Sequence, residues 1–232
     1  MDGLIAREFW NVREEPDLFP WAKELEENAH IIQKEFETKL KDEKLFNADS
    51  VWQNQVMGTG WSAIRLQRLG VWNMDNCKEF PKTYELLRKL GIPLAVRGVC
   101  FARQAPGSGV QSHSDGRNFI LTSHLGLKVP PECWMEVGGE RRHWEEGKLL
   151  TLDTSFTHST GNPSTEERHV LIIDFWHPGL TEAERAGLEF VYDLRNKFES
   201  GLVPFRKPKS LQEQESGGLG GWWASITGGG ES

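Results

Sequence analysis

QSHSDGRNFILTSHLGL, residues Gln111 to Leu127, sets a histidine and an aspartate two positions apart where a loop hands over to an apolar strand; a further histidine, His124, follows along that strand. The segments around it share its character. LAVRGVCFA, WMEVGG, KLLTLDTSF and RHVLIIDFW are short and rich in β-branched and aromatic residues. They are separated by Pro106-Gly107, Pro130-Pro131, Gly138-Gly139 and Gly161-Asn162-Pro163. Strands about ten residues apart with such turn signals between them are the pattern of an antiparallel sandwich or barrel. From Leu94 onward the chain therefore reads as mainly β with flanking helices.

The helices lie on either side. Trp21, Leu25, Ala29, Ile32, Phe36 and Leu40 recur at intervals of three and four, predicting a helix over roughly residues 17 to 44. A shorter one is expected from about Pro81 to Leu90, with the proline in its first turn and Gly91 past its end. Thr181-Glu182-Ala183-Glu184 reads as a capping box opening a last helix, with an apolar stripe through Leu188, Val191, Leu194 and Phe198. The expected organisation is one domain over residues 1–205: a helical N-terminal segment over residues 1–50, a core of about 51–180 and a closing helix 181–200. A Gly-rich tail, 206–232, is expected to be flexible, with Trp222-Trp223 its one feature able to dock.

A chain of 232 residues can bury a sizeable core. Its 34 acidic against 27 basic side chains, a formal charge of −7, disfavour nucleic acid or an anionic membrane as partner. Three scattered cysteines, Cys77, Cys100 and Cys133, suggest neither a disulfide framework nor a structural zinc site. With no basic leader and no run of bilayer-spanning length, a cytoplasmic protein is expected.

In an extended strand, side chains two apart point the same way, so His113 and Asp115 can converge on one point. A second imidazole from a distant strand would complete a facial triad, which holds octahedral iron(II) and keeps three adjacent positions open. His158, at the end of KLLTLDTSFTH, is the best candidate. Ten residues later Arg168 opens the apolar strand RHVLIIDFW. A guanidinium suits a carboxylate gripped by two parallel hydrogen bonds, and a strand interior is a costly place to leave one unpaired. An open metal site with a deep carboxylate grip is what a 2-oxoglutarate co-substrate requires. Other readings stand beside this one. A lone HxD can be a solvated turn, Arg168 can pair with Asp174 or Asp153, and His124 can be a core histidine.

The stretch PGSGVQSHSDGRNFILTSHLGLKVPPECWMEVGGERRHWEEGKLLTLDTSFTHSTGNPSTEERHVLIIDFWHPGLT resembles the aspartyl/asparaginyl β-hydroxylase family of iron(II)/2-oxoglutarate oxygenases. The likeness rests on the PG turn before His113, on Asn118, HLGL, VP, W-x-EGK and D-x-SF-x-H, on the arginine ten residues on, and on DFWHP followed by LT. Upstream, NCKEFPKTYELL is similar to the family's Cys–Pro–Lys–Thr segment, and the similarity spans about residues 50 to 185. It implies a double-stranded β-helix (a jelly-roll, cupin-like core), His113 and His158 as iron ligands, and Arg168 holding 2-oxoglutarate with help from His124.

The departures from the family are informative. The family's animal protein hydroxylase has glycine where Asp115 stands, and arginines where this chain has Ile120 and Thr122; a serine near the co-substrate is Ala102 here. The complete triad matches the family's small-molecule hydroxylases and argues against halogenation, which needs the vacated coordination site. The expected function is hydroxylation of an unactivated C–H of a small polar substrate such as an amino acid, using O2 and converting 2-oxoglutarate to succinate. Arg117, Arg103, Arg65, Trp61 and Thr122 are candidates for binding that substrate. The alternatives are hydroxylation of Asp or Asn side chains in a protein, and a non-catalytic cupin-like metal- or ligand-binding module. A serine hydrolase is disfavoured, because Gly107-Ser108-Gly109 is not a nucleophile elbow.

Overall fold

Alternation of buried side chains organises the molecule into two antiparallel sheets. The computed structural model describes residues 1–47 and 60–202. The seven-stranded sheet runs in the order β1-β9-β6-β11-β4-β2-β3. Its strands in chain order are β1 (Phe9–Trp10), β2 (Trp61–Arg68), β3 (Val71–Trp72), β4 (Leu94–Gln104), β6 (Ile120–Lys128), β9 (Leu149–Leu152) and β11 (Arg168–Trp176). The four-stranded sheet has the order β5-β10-β7-β8, from β5 (Ser108–His113), β7 (Trp134–Val137), β8 (Glu140–His143) and β10 (His158–Asn162). This is a double-stranded β-helix with helices on its flanks. The β7–β8 turn is Gly138-Gly139, both at positive φ, as a tight two-residue hairpin demands.

The large sheet is buried on both faces. On β11, Leu171, Ile173 and Phe175 point outward to the helices, while Val170 points inward to the small sheet. On β6, Leu121, Leu125 and Leu127 take the outer face, which leaves Thr122 and His124 facing in. The outer face is covered by α1 (Ala22–Glu27), α2 (Ala29–Glu37), α4 (Met74–Glu79) and α5 (Pro81–Lys89), with α3 (Glu43–Asn47) beside β2. Phe101 of β4 sits between Phe36 of α2 and Phe80, at ring centroids 4.7 and 4.6 Å, contacts worth about 0.5–1.5 kcal/mol each beyond area burial.

The long first helix expected over residues 17–44 is broken into α1, α2 and α3. At Asn28 the backbone leaves helical geometry (φ −101, ψ 8) and its side chain bonds back to the Glu24 carbonyl, ending α1. At the end of α2 the Thr38 hydroxyl likewise donates to the Glu35 carbonyl, though its own backbone stays helical. The predicted helix after Pro81 forms as α5. The last helix, α6 (Glu182–Glu199), opens on the expected capping box, with Thr181 Oγ1 and Glu184 each bonding the other's backbone N–H. Its stripe is not core: Val191, Leu194 and Phe198 stay exposed, and only Leu188 packs against the cluster around Trp176.

The chain divides into two compact units, Met1–Tyr192 and Asp193–Ser232. The second is described only as far as residue 202, so the Trp222-Trp223 pair and the glycine-rich tail lie outside the described residues. Among the described residues no helix is long and apolar enough to cross a membrane. Cys77, Cys100 and Cys133 are all buried.

Candidate metal centre and anion pocket

His113 ends β5 and His158 begins β10, and the two are directly opposite partners in the ladder between these strands. A cross-strand pair brings side chains within reach, and the two imidazoles lie at ring centroids 4.2 Å apart. Asp115 stands past the end of β5, not within an extended strand as expected. Its N–H donates to the Thr154 carbonyl at 2.9 Å, which turns the loop back over the histidines. One potential ligand atom from each of His113, Asp115 and His158 falls within 4.8 Å of the others.

The tautomers are set by local bonds. Nδ1 of His113 lies 2.8 Å from the Gln111 carbonyl, and Nδ1 of His158 lies 2.9 Å from that of Phe156. A carbonyl only accepts, so each Nδ1 carries the hydrogen and each Nε2 offers its lone pair inward. Burial pushes the His158 imidazolium below its ordinary range, which favours the neutral, ligating form. Burial alone would raise the Asp115 carboxyl, but the neighbouring Arg97 cation and the Thr154 hydroxyl hold it below the usual carboxylate value. Two imidazoles presenting Nε2 and one carboxylate are a donor set suited to iron(II).

The triad opens into a cavity of about 260 Å³ between the sheets, whose lining includes Trp61, Arg65, Arg117, Thr122, His124 and Arg168. Parity explains the deep end. Arg168 shares the inner face of β11 with Val170, and His124 shares that of β6 with Thr122. Arg168 is 1% exposed, yet its Nε and Nη1 have no hydrogen-bond partner among the described residues. Its guanidinium carbon lies 4.4 Å over the Trp144 ring. Burial pushes it down to about 10. Trp144 also donates from Nε1 to Nδ1 of His124 at 3.3 Å, so His124 carries its own hydrogen on Nε2. Burial, and then the Arg168 charge, hold His124 well below its ordinary value, so it is neutral. The deep wall thus presents a cation with unfilled donors beside a neutral imidazole donor, a chemistry that fits a carboxylate.

Four of the five substrate candidates, Trp61, Arg65, Arg117 and Thr122, line this cavity. Arg103 does not. Like Phe101 it falls on the outer face of β4, where it lies 4.2 Å over the Phe46 ring and donates to Ser62 at 3.0 Å. Nor does Arg168 pair with Asp174, because Asp174 already faces Arg97 at 2.6 Å.

Arg97 went unnoticed in the sequence. On β4, Val99 and Phe101 face out, so strict alternation would send Arg97 outward too. Instead the β4–β11 ladder slips: between paired positions Val99↔Ile173 and Leu94↔Phe175, β4 spends five residues where β11 spends two. Gly98, at φ +70, lies inside that bulge, and a Cβ there would strike Gln67. The bulge re-aims Arg97 into the cavity. The one available hint was the Arg97-Gly98 pair within an otherwise apolar strand.

A family described as Aspartyl/Asparaginyl beta-hydroxylase matches residues 26–178 of this chain. "Aspartate beta-hydroxylase domain-containing protein 2" from Homo sapiens is 34% identical over 175 residues, 72% of this chain and 47% of that protein. "Aspartyl/asparaginyl beta-hydroxylase" from Mus musculus is 34% identical over 192 residues, 81% of this chain and 26% of that one. The chain thus spans about half the length, or less, of these curated relatives. A solved structure described as a predicted oxalate decarboxylase from Thermotoga maritima aligns at 13% identity and TM-score 0.34. It covers 50% of this chain and 80% of that one, a likeness too slight to argue from.

Proposed function

The chain belongs to the aspartyl/asparaginyl β-hydroxylase family, and on that premise we propose that it is an iron(II)- and 2-oxoglutarate-dependent dioxygenase. Its substrate is a small polar molecule, such as an amino acid or related metabolite, hydroxylated at an unactivated C–H. The observation that carries this is the placement of a fully buried arginine with two unpartnered nitrogens in the same cavity as a His/Asp/His cluster. A buried cation without an anion is costly unless a ligand supplies one. A bare metal-binding module would have no use for it.

Iron(II) with 2-oxoglutarate and O2 supplies the oxidation, coupled to loss of CO2 and formation of succinate. The protein's residues bind, orient and exclude water. His113 and His158 offer Nε2 and Asp115 offers a carboxylate oxygen to the metal. Held by these three ligands, the metal would remain open to co-substrate and oxygen. Arg168 and the Nε2–H of His124 hold the far carboxylate of 2-oxoglutarate, with the Trp144 ring shielding the guanidinium from water. Arg117, Arg65, Trp61 and Thr122 frame the space left for substrate. The Arg117 guanidinium makes no hydrogen bond or ion pair with the described residues, which leaves its charge available to an acidic or zwitterionic substrate.

The intact triad and the absence of arginine at positions 120 and 122 favour a small molecule. The names of the relatives favour the other reading, an Asp or Asn side chain of a protein. A reducing compartment such as the cytoplasm suits an odd number of widely spaced cysteines with no CxxC pair among them.

Iron-loaded protein is to be incubated with 2-oxoglutarate and a panel of free amino acids, with succinate measured. Succinate release stimulated by one of them, and lost in His113→Ala, is the expected result. Stimulation only by peptides or proteins transfers the reading to side-chain hydroxylation. No 2-oxoglutarate binding in the presence of metal defeats the enzyme reading.

A further inference from the structure

Arg97 reaches four polar side chains of the cavity and its rim. Its Nη1 donates to Oδ2 of Asp115. Its Nη2 donates to the hydroxyls of Thr122 at 3.1 Å and Thr154 at 3.2 Å, and to Asp174 Oδ1 at 3.3 Å. Its Nε lies 2.6 Å from Asp174 Oδ2. The partners are themselves tied: Thr122 donates to Asp174 at 2.6 Å, and the Thr154 carbonyl takes the Asp115 N–H. Asp115 is thereby held twice, at its backbone from β9's end and at its side chain from β4. Of its two carboxylate oxygens, Arg97 takes Oδ2. The other, Oδ1, faces the histidines, 3.9 Å from Nε2 of His113.

We propose that Arg97 is the positioning residue of the metal centre, taking one oxygen of Asp115 so that the other is presented to the two imidazoles, with Asp174 and Thr122 keeping the guanidinium in place. This rests on the metal-centre reading above and adds to it a residue on a separate strand. Three features support it beyond proximity. Asp115 sits in a loop beyond β5, where strand geometry alone does not fix its rotamer. The planar fork of arginine can serve two carboxylates at once, which a lysine point charge cannot. And one cation between two carboxylates leaves a net negative charge beside the two imidazoles, which attracts a divalent ion.

Partners of this kind cost 10- to 100-fold in metal affinity when removed. The test titrates Mn(II) into wild-type protein, Arg97→Met, Arg97→Lys and Asp174→Asn, reading free Mn(II) by electron paramagnetic resonance and recording thermal melts alongside. The Co(II) forms supply a visible spectrum that reports the ligand set. Expected are a 10- to 100-fold weaker Mn(II) Kd in Arg97→Met, a smaller loss in Arg97→Lys, and an altered Co(II) spectrum. Where Arg97→Met does not fold, Asp174→Asn loosens the guanidinium without touching Asp115 and is expected to weaken Mn(II) about 10-fold. An unchanged Kd with a lowered melting point would make Arg97 a structural strut only and overturn the proposal. Tighter Mn(II) binding in Arg97→Met would overturn it too, since Arg97 would then be competing with the metal for Asp115. A wild-type protein that binds neither ion sinks the metal centre itself, a distinct outcome.

Discussion

Replacing Arg168 by methionine is expected to make the protein more stable and unable to bind 2-oxoglutarate. The side chain is 1% exposed, two of its nitrogens are unpartnered, and burial brings the guanidinium to about 10. Measured from the ordinary guanidinium range, at about 1.4 kcal/mol per decade, that is a penalty of roughly 3 kcal/mol in the ligand-free fold. The face-on contact with Trp144 returns about 1–2 kcal/mol of it. Methionine fills similar volume without charge, so Arg168→Met gains about 1–2 kcal/mol, or roughly 2–8 °C in Tm for a unit of this size. Urea unfolding of the Mn(II)-loaded protein, with and without 2-oxoglutarate, measures both effects. Co-substrate at a hundredfold excess over Kd stabilises wild type by about 2.7 kcal/mol and leaves the variant unmoved. A variant that is less stable than wild type in the absence of co-substrate, or that still gains from 2-oxoglutarate, would refute the view of Arg168 as an anion receptor held at a cost.

Two other perturbations follow from the same geometry. Trp144→Phe keeps a ring under Arg168 but loses the bond to His124, and 2-oxoglutarate affinity by calorimetry is expected to drop about fivefold, near 1 kcal/mol; an unchanged Kd would show that the His124 tautomer is immaterial. Acid is expected to weaken the fold between about pH 6.5 and 4, because His124, His158, His169 and His177 all titrate lower when folded, so the unfolded chain takes up protons first as pH falls. His169, pushed to about 4 by burial, contributes about 2 kcal/mol of that loss at pH 5, and Asp153, raised by burial, opposes it. Equal urea midpoints at pH 7.5 and pH 5 would contradict this.

What the sequence made legible was whatever obeys a regular period. The strands and the inward turn of Arg168 and His124 follow from alternation along β11 and β6, while the meeting of His113 with His158 was legible only through the HxD…H motif and the family resemblance. The first helix misled because its apolar spacing runs unbroken through Asn28, and periodicity says nothing about a side chain that bonds its own backbone. Arg103 was misplaced for the converse reason: an arginine in a strand close to the motif looks like a member of the site until parity puts it on the outer face. Arg97 and Asp174 were invisible as a pair. Their meeting depends on a ladder slip, and on acids and hydroxyls drawn from three other strands and loops.

The bulge at Gly98 has a wider implication. A glycine that shifts the phase of a strand lets β4 deliver a charged group to the interior from a position that alternation would assign to the apolar outer face. Aligning such a strand by hydropathy alone would place its arginine among the helices. Distant members of the fold that lack the glycine would therefore have to bring a guanidinium to the same spot from some other position in the chain.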